Sequence, residues 1–131
     1  LSDAQIIWDT NNEYRELWHQ ILLKINQDGY SFINSNECVE MLDKIQIIEE
    51  TVLSEINNVK LLSDHETEKL LHDKRENEML RNIYNYSKQY QFDKALFICG
   101  VEHRKPLKQK IQEYEAKENF KLNWIFYNDT Y

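Results

Sequence analysis

Over most of the first two thirds of the chain, apolar residues recur at helical spacing. Tyr14, Leu17, Trp18, Ile21, Leu22 and Ile25 follow an i, i+3, i+4, i+7 pattern. Gly29 stands where a left-handed helix end is wanted, so a helix is predicted over residues 11–28. A second stripe runs through Cys38, Met41, Leu42, Ile45, Ile48, Val52 and Ile56, and Ile47 and Leu53 widen it. A helix this apolar is expected to pack on two sides. The third predicted helix, from about Asp64 to Tyr90, carries Leu71, Met79, Ile83, Tyr86 and Tyr90 along one face and is interrupted by Arg75. Three start signals precede these helices, each an oxygen-bearing side chain followed three residues later by Glu: Thr10 with Glu13, Asn34 with Glu37, and Ser63 with Glu66.

The periodicity then changes. Ala95 to Gly100 (ALFICG) is a short apolar run closed by glycine, the pattern of a strand buried on both faces. Pro106 suits the first turn of a further helix through Leu107, Ile111 and Tyr114, and Leu122 to Tyr127 (LNWIFY) reads as a second strand. Strand, helix and strand together predict a parallel, right-handed β-α-β unit. The fold class expected is therefore a helix-rich α/β protein: three long helices, then a parallel unit belonging to a larger sheet. Two parallel strands are a poor sheet by themselves, so the missing strands are expected before Leu1 or in a partner chain. Residues 1–60 form a helical region, a cap or insertion, and residues 61–131 an α-β-α-β core piece.

Composition narrows the function classes. At 131 residues the chain can bury a core without staples. Its two cysteines, Cys38 and Cys99, have no paired spacing and read as reduced, buried thiols in a cytoplasmic protein rather than as a secreted disulfide framework. No run approaches the ~20 apolar residues of a membrane span. The net charge of −7 is uneven: residues 1–80 hold 7 Lys/Arg against 17 Asp/Glu, and residues 81–131 hold 9 against 6. So acidic a first part repels phosphate backbones and argues against nucleic acid as a partner.

The candidate chemistry lies around Gly100 to His103 (GVEH). In open parallel sheets, ligands bind beyond the carboxyl ends of the strands, and this segment occupies that place. Gly100 would let the backbone turn, and Glu102 and His103 would be presented just before a helix. A histidine there can serve as metal ligand, general base or general acid. Helix three should run antiparallel to the strand, and ~17 Å of strand matches ~18 Å of helix. Counting back from the connection at Gln91 to Lys94 brings residues 75–79 to the same height, with Arg75 on the apolar stripe. A buried guanidinium needs a carboxylate or an anion beside it. Either Arg75 holds an anionic group with Glu78 and Glu102 lining the ligand site, or it forms a structural ion pair with Glu78 or Glu102. For His103 the competing reading is a capping or surface histidine. His65 and His72 read as a solvated face, and the basic cluster Arg104, Lys105, Lys108 and Lys110 as either an anion-steering patch or plain surface.

The segment from about Arg75 to Tyr127 resembles the C-terminal part of the superfamily linking TraB and Tiki-type proteins with ChaN and erythromycin-esterase-like proteins. There, an Arg-acid-x-x-Met motif on a helix is followed by a strand ending in Gly-x-x-His. Here the positions read RENEM (Arg75 to Met79) and ALFICGVEH (Ala95 to His103), and Asn82 matches a recurrent asparagine. The resemblance implies an α/β core and, for the Tiki-like branch, a metal-assisted hydrolase with paired Gly-x-x-His motifs and a glutamate. By position it picks out Arg75, Glu76, Gly100 and His103, with His103 as ligand to a divalent metal. A second Gly-x-x-His is absent, because Gly29 is followed by Tyr30, Ser31 and Phe32. Either the first motif precedes Leu1 or the scaffold persists without the activity.

Two expectations follow. One is the C-terminal portion of a metal-assisted hydrolase acting on a small molecule or peptide, with His103, Arg75 and Glu76 as catalytic groups. The other is a non-catalytic helical module that recruits a partner, self-associates, or docks on the rest of a longer chain through the wide apolar face of helix two.

Overall fold

The computed structural model describes residues 2–127 and 129. The helices are α1 (Asp3–Thr10), α2 (Asn12–Asp28), α3 (Tyr30–Ile33), α4 (Asn36–Ile56), α5 (Val59–Gln89) and α6 (Arg104–Lys117), with a 3-10 turn at Val101–His103. Helix α2 falls where the apolar stripe placed it, and Gly29 ends it at φ 54°, a backbone conformation that costs glycine little. The caps sit one residue away from the expected ones. Asn11, not Thr10, accepts the Tyr14 N–H at 2.9 Å, and Ser35, not Asn34, accepts the Cys38 N–H at 3.1 Å. Ser63 caps nothing because α5 already begins at Val59, where the Asn58 side chain accepts the N–H groups of Lys60 and Leu61.

The α/β expectation is wrong: no strand occurs among the described residues, and the parallel β-α-β unit is absent. Residues 91–100 are non-helical and exposed throughout, with Leu96 at 86% and Ile98 at 81% exposure. A strand exists only by pairing its backbone with another, and an apolar run shows affinity for burial without specifying a ladder. The second candidate keeps period-two alternation. Leu122, Trp124 and Phe126 pack against helices, whereas Asn123 and Ile125 face solvent, so a helix pair takes the place of a sheet. Asn128, Thr130 and Tyr131, at the end of the second expected region, lie outside the described residues.

The chain divides into two compact units, and the division falls within α5, between Glu68 and Lys69. In the first unit α1, α2, α3 and α4 surround Ile7, Tyr14, Ile21, Phe32, Cys38, Met41, Ile45 and Leu53, all buried. The second unit, Lys69 to Phe126, has a smaller core of Leu80 and Tyr84 from α5 with Leu107 and Ile111 from α6, over which Tyr114, Leu122, Trp124 and Phe126 close. Each fully buried aliphatic side chain there contributes about 1.5–3 kcal/mol relative to exposure. No helix among the described residues is long and apolar enough to cross a membrane.

Candidate functional site

The second unit is organised by a row of residues four apart on α5: His72, Glu76, Leu80 and Tyr84. At that spacing side chains stack along one helix face. Leu80 and Tyr84 enter the core, and Glu76, one turn earlier, is only 4% exposed. A carboxylate buried to that degree is costly unless it is paired. Its partner is His103, 3% exposed, whose Nδ1 lies 2.9 Å from Glu76 Oε1. The His72 ring tilts beside that of His103, with centroids 5.6 Å apart.

His103 reaches this position because the chain folds over itself at the start of α6. Its backbone N–H donates to the Gly100 carbonyl at 3.1 Å, closing the 3-10 turn. The residue then stands at the N-cap of α6 without capping it, and its ring is directed at Glu76 instead. On the other side, Nε2 lies 3.6 Å from Glu102 Oε1, so the imidazole is flanked by two carboxylates, one buried and one about half exposed. Gly100 contributes space rather than backbone freedom: its φ of −61° and ψ of 150° suit any residue. A Cβ there would meet the Glu102 carboxylate at 2.5–2.7 Å.

Residues 75–79 of α5 do lie near His103, although the strand from which that height was reckoned is absent, and the face that meets His103 is not the one carrying Arg75. Arg75 is exposed, and Glu76, displaced by about 100° around the helix, makes the contact. Leu71, Tyr86 and Tyr90, assigned to the buried stripe, are also exposed. Glu78 is exposed and pairs with Arg81 rather than with Arg75. Of the six candidate residues, Glu76, Gly100, Glu102 and His103 come together, and Arg75 and Glu78 remain outside.

Around this centre the polar links join α5 to α6. Lys110 donates to Asp73 and, at 3.0 Å, to Asn77 Oδ1. The hydrogen bond and the charge of Lys110 hold the Asp73 carboxyl below its ordinary value. Two turns further, the Tyr84 hydroxyl donates to Glu115, which also accepts the Leu122 N–H at 3.2 Å, and Trp124 Nε1 donates to the Tyr84 oxygen at 3.1 Å. Of the basic cluster, Arg104 and Lys108 lie over the Phe126 ring at 5.5 and 4.8 Å, while Lys105 is exposed. Cys99, nearby in sequence, is not an activated thiol. Cys99 is exposed rather than buried as expected, yet partial desolvation still pushes its pKa up, and the Glu102 and Glu76 carboxylates add to that.

Among the described residues no group of three or more His, Cys, Asp or Glu side chains is placed to hold a metal ion. Glu76 occupies Nδ1 of His103, and the donors nearest to the pair are His72 and Glu102. The metal expected at His103 therefore has no ligand set here. His72 was the residue that sequence reasoning undervalued, since its acidic neighbours suggested a solvated face. Its spacing of four from Glu76 and eight from Leu80 was the available signal. No family model, no curated protein and no solved structure matches the chain.

Proposed function

We propose that the Glu76–His103 pair is an acid–base centre for hydrolysis of an acyl substrate. The observation that carries this is the buried contact of 2.9 Å between His103 Nδ1 and Glu76 Oε1. A carboxylate at Nδ1 holds the proton on that nitrogen, which leaves the Nε2 lone pair free to take a proton from an attacking water. Glu76 also stabilises the imidazolium that forms as the proton is transferred. Glu102 lies over Nε2 with its side chain 54% exposed, so an incoming substrate has to displace it. No step runs through a metal.

The test is turnover on a panel of activated esters and amides, with pH–rate profiles. His103→Ala should abolish turnover. Glu76→Gln should lower it by about 10²–10⁴-fold with the fold retained by circular dichroism, as expected for loss of general acid–base function. Equal turnover by the wild type and both variants would end the proposal.

One observation favours a second reading, a self-associating helical module: Leu96, Ile98 and Ile125 are 86%, 81% and 61% exposed. Light scattering across concentration should then give a mass above that of the monomer, reduced by Leu96→Lys with Ile98→Lys. A constant monomeric mass would contradict it.

A further inference from the structure

The Glu76–His103 contact supplies a base, and the imidazole of His72 beside it has as yet no part in the chemistry. His72 stands one turn before Glu76 on α5 and is half-buried, whereas Glu76 and His103 are only 4% and 3% exposed. Its ring lies 5.6 Å from that of His103, centroid to centroid, and is inclined to it by 53°.

Hydrolysis of an ester moves two protons. One leaves the attacking water, and the other must reach the departing oxygen, because an alkoxide is a poor leaving group. His103 is badly placed to serve both. Glu76 holds its Nδ1 at 2.9 Å and its ring is buried, so the imidazole has no room to swing from the water to the leaving oxygen. Glu76, Glu102 and His72 lie against that ring. Two of them are carboxylates, which when ionised only accept, and the third is an imidazole, which both gives and takes a proton near neutrality. Lys110, on the neighbouring helix, is committed to Asp73 and Asn77. The spacing fits as well. Water and leaving oxygen join one carbon, so groups within hydrogen-bond reach of each stand about 5–7 Å apart.

We infer that His72 is the general acid of this site, a catalytic residue that protonates the departing alcohol. The inference rests on the reading of Glu76 and His103 as an acid–base centre, and it names the substrate class as esters of ordinary alcohols. The water oxygen bonds to the acyl carbon while His103 Nε2 takes one of its protons. The carbon–oxygen bond to the alcohol then breaks, its electron pair stays on the departing oxygen, and His72 supplies the proton. A carboxylic acid and an alcohol leave, and the proton on His103 returns through solvent to His72.

The test compares 4-nitrophenyl acetate, whose phenolate departs unaided, with 4-nitrobenzyl acetate, which is of similar size but releases an alkoxide. His72→Gln should lower kcat on the benzyl ester by about 10²-fold or more and on the phenyl ester by less than about tenfold. His103→Ala should abolish turnover of both. Equal losses on the two esters in His72→Gln, or none, overturn the role of His72 and leave the Glu76–His103 pair standing. Turnover indifferent to His103→Ala removes the pair and this inference with it. The wild type provides a check that needs no variant: its rate should depend only weakly on the leaving group, and a dependence as steep as that of the uncatalysed reaction would overturn the inference.

Discussion

Each unit contains one tyrosine that donates its hydroxyl to a glutamate on another helix, Tyr14 to Glu49 in the first and Tyr84 to Glu115 in the second. Both phenols are pushed up to about 12, chiefly by burial. The carboxylates move in opposite directions. Glu49 is raised, because the desolvation of its charged form outweighs the hydrogen bond from Tyr14. Glu115 is lowered, because the Tyr84 hydroxyl, the Leu122 N–H and the charge of Lys121 together outweigh its smaller desolvation. The same side-chain pair thus yields a carboxylate that resists ionisation in one place and favours it in another. The deciding quantity is how many donors the charged form keeps against how much water it loses.

The comparison breaks most visibly if the tyrosines are removed. Tyr84→Ala, which empties a fully buried site, should cost about 3–5 kcal/mol in urea unfolding. Tyr84→Phe, which keeps the ring but removes one donor to Glu115 and the acceptor of Trp124, should cost about 1–3 kcal/mol. A cost for Tyr84→Phe as large as that for Tyr84→Ala would mean that the ring contributes nothing.

Acid should separate the units next. Glu115 and Asp73 have lowered folded-state pKa values, so their stabilisation is present above the ordinary carboxylate range and disappears as pH falls through the folded values. Glu49 has a raised value, so its penalty is present at neutral pH and is relieved as pH falls. Hydrogen exchange between pH 7 and pH 3 should lose protection in α6 before it does in α4, and the opposite order would refute the assignment. At the alkaline end both phenols keep their protons when unfolded tyrosines, near 10, have lost theirs. Stability should therefore fall as pH rises from about 10 toward 12. Ultraviolet titration should find both tyrosines ionising later than exposed Tyr30.

Smaller effects sharpen the contrast. Glu115→Gln should destabilise by about 1 kcal/mol at pH 7, whereas Glu49→Gln should be neutral or slightly stabilising, because it removes a charge that the site disfavours. Lys88→Ala, which deletes the exposed pair with Glu118 at 3.0 Å, should stay within about 0.5 kcal/mol on the same measurement.

The helices were legible wherever their apolar residues repeated at the helical period. Of the stripe forecast for α4, Cys38, Met41, Ile45 and Leu53 are buried, whereas Ile47 and Ile56 are exposed. Helices α1 and α3 were missed because eight- and four-residue segments give too few repeats for a period to stand out. The strands failed for a different reason. Local apolarity says that a segment seeks cover, whereas a ladder is a property of two segments, and the cover found for Leu122, Trp124 and Phe126 is a helix pair. At the candidate site, residues 75–79 of α5 were expected beside His103 by matching the length of a strand that is absent, so their proximity does not rest on that reasoning. The identity of its partner was not legible either, because one step along a helix exchanges an exposed arginine for a buried glutamate. Placing Arg75 on the buried stripe let an apolar pattern outvote the cost of burying charge, when Glu76 was the charge with a partner waiting.

The protonation state of His103 gives the most direct measurement. Long-range ¹H–¹⁵N correlation of the labelled chain, at a pH where its imidazole is neutral, should find the proton on Nδ1 and a bare Nε2, with that preference lost in Glu76→Ala. A proton on Nε2 in the wild type, or nitrogen shifts indifferent to Glu76→Ala, would contradict the buried pair on which the proposed chemistry rests.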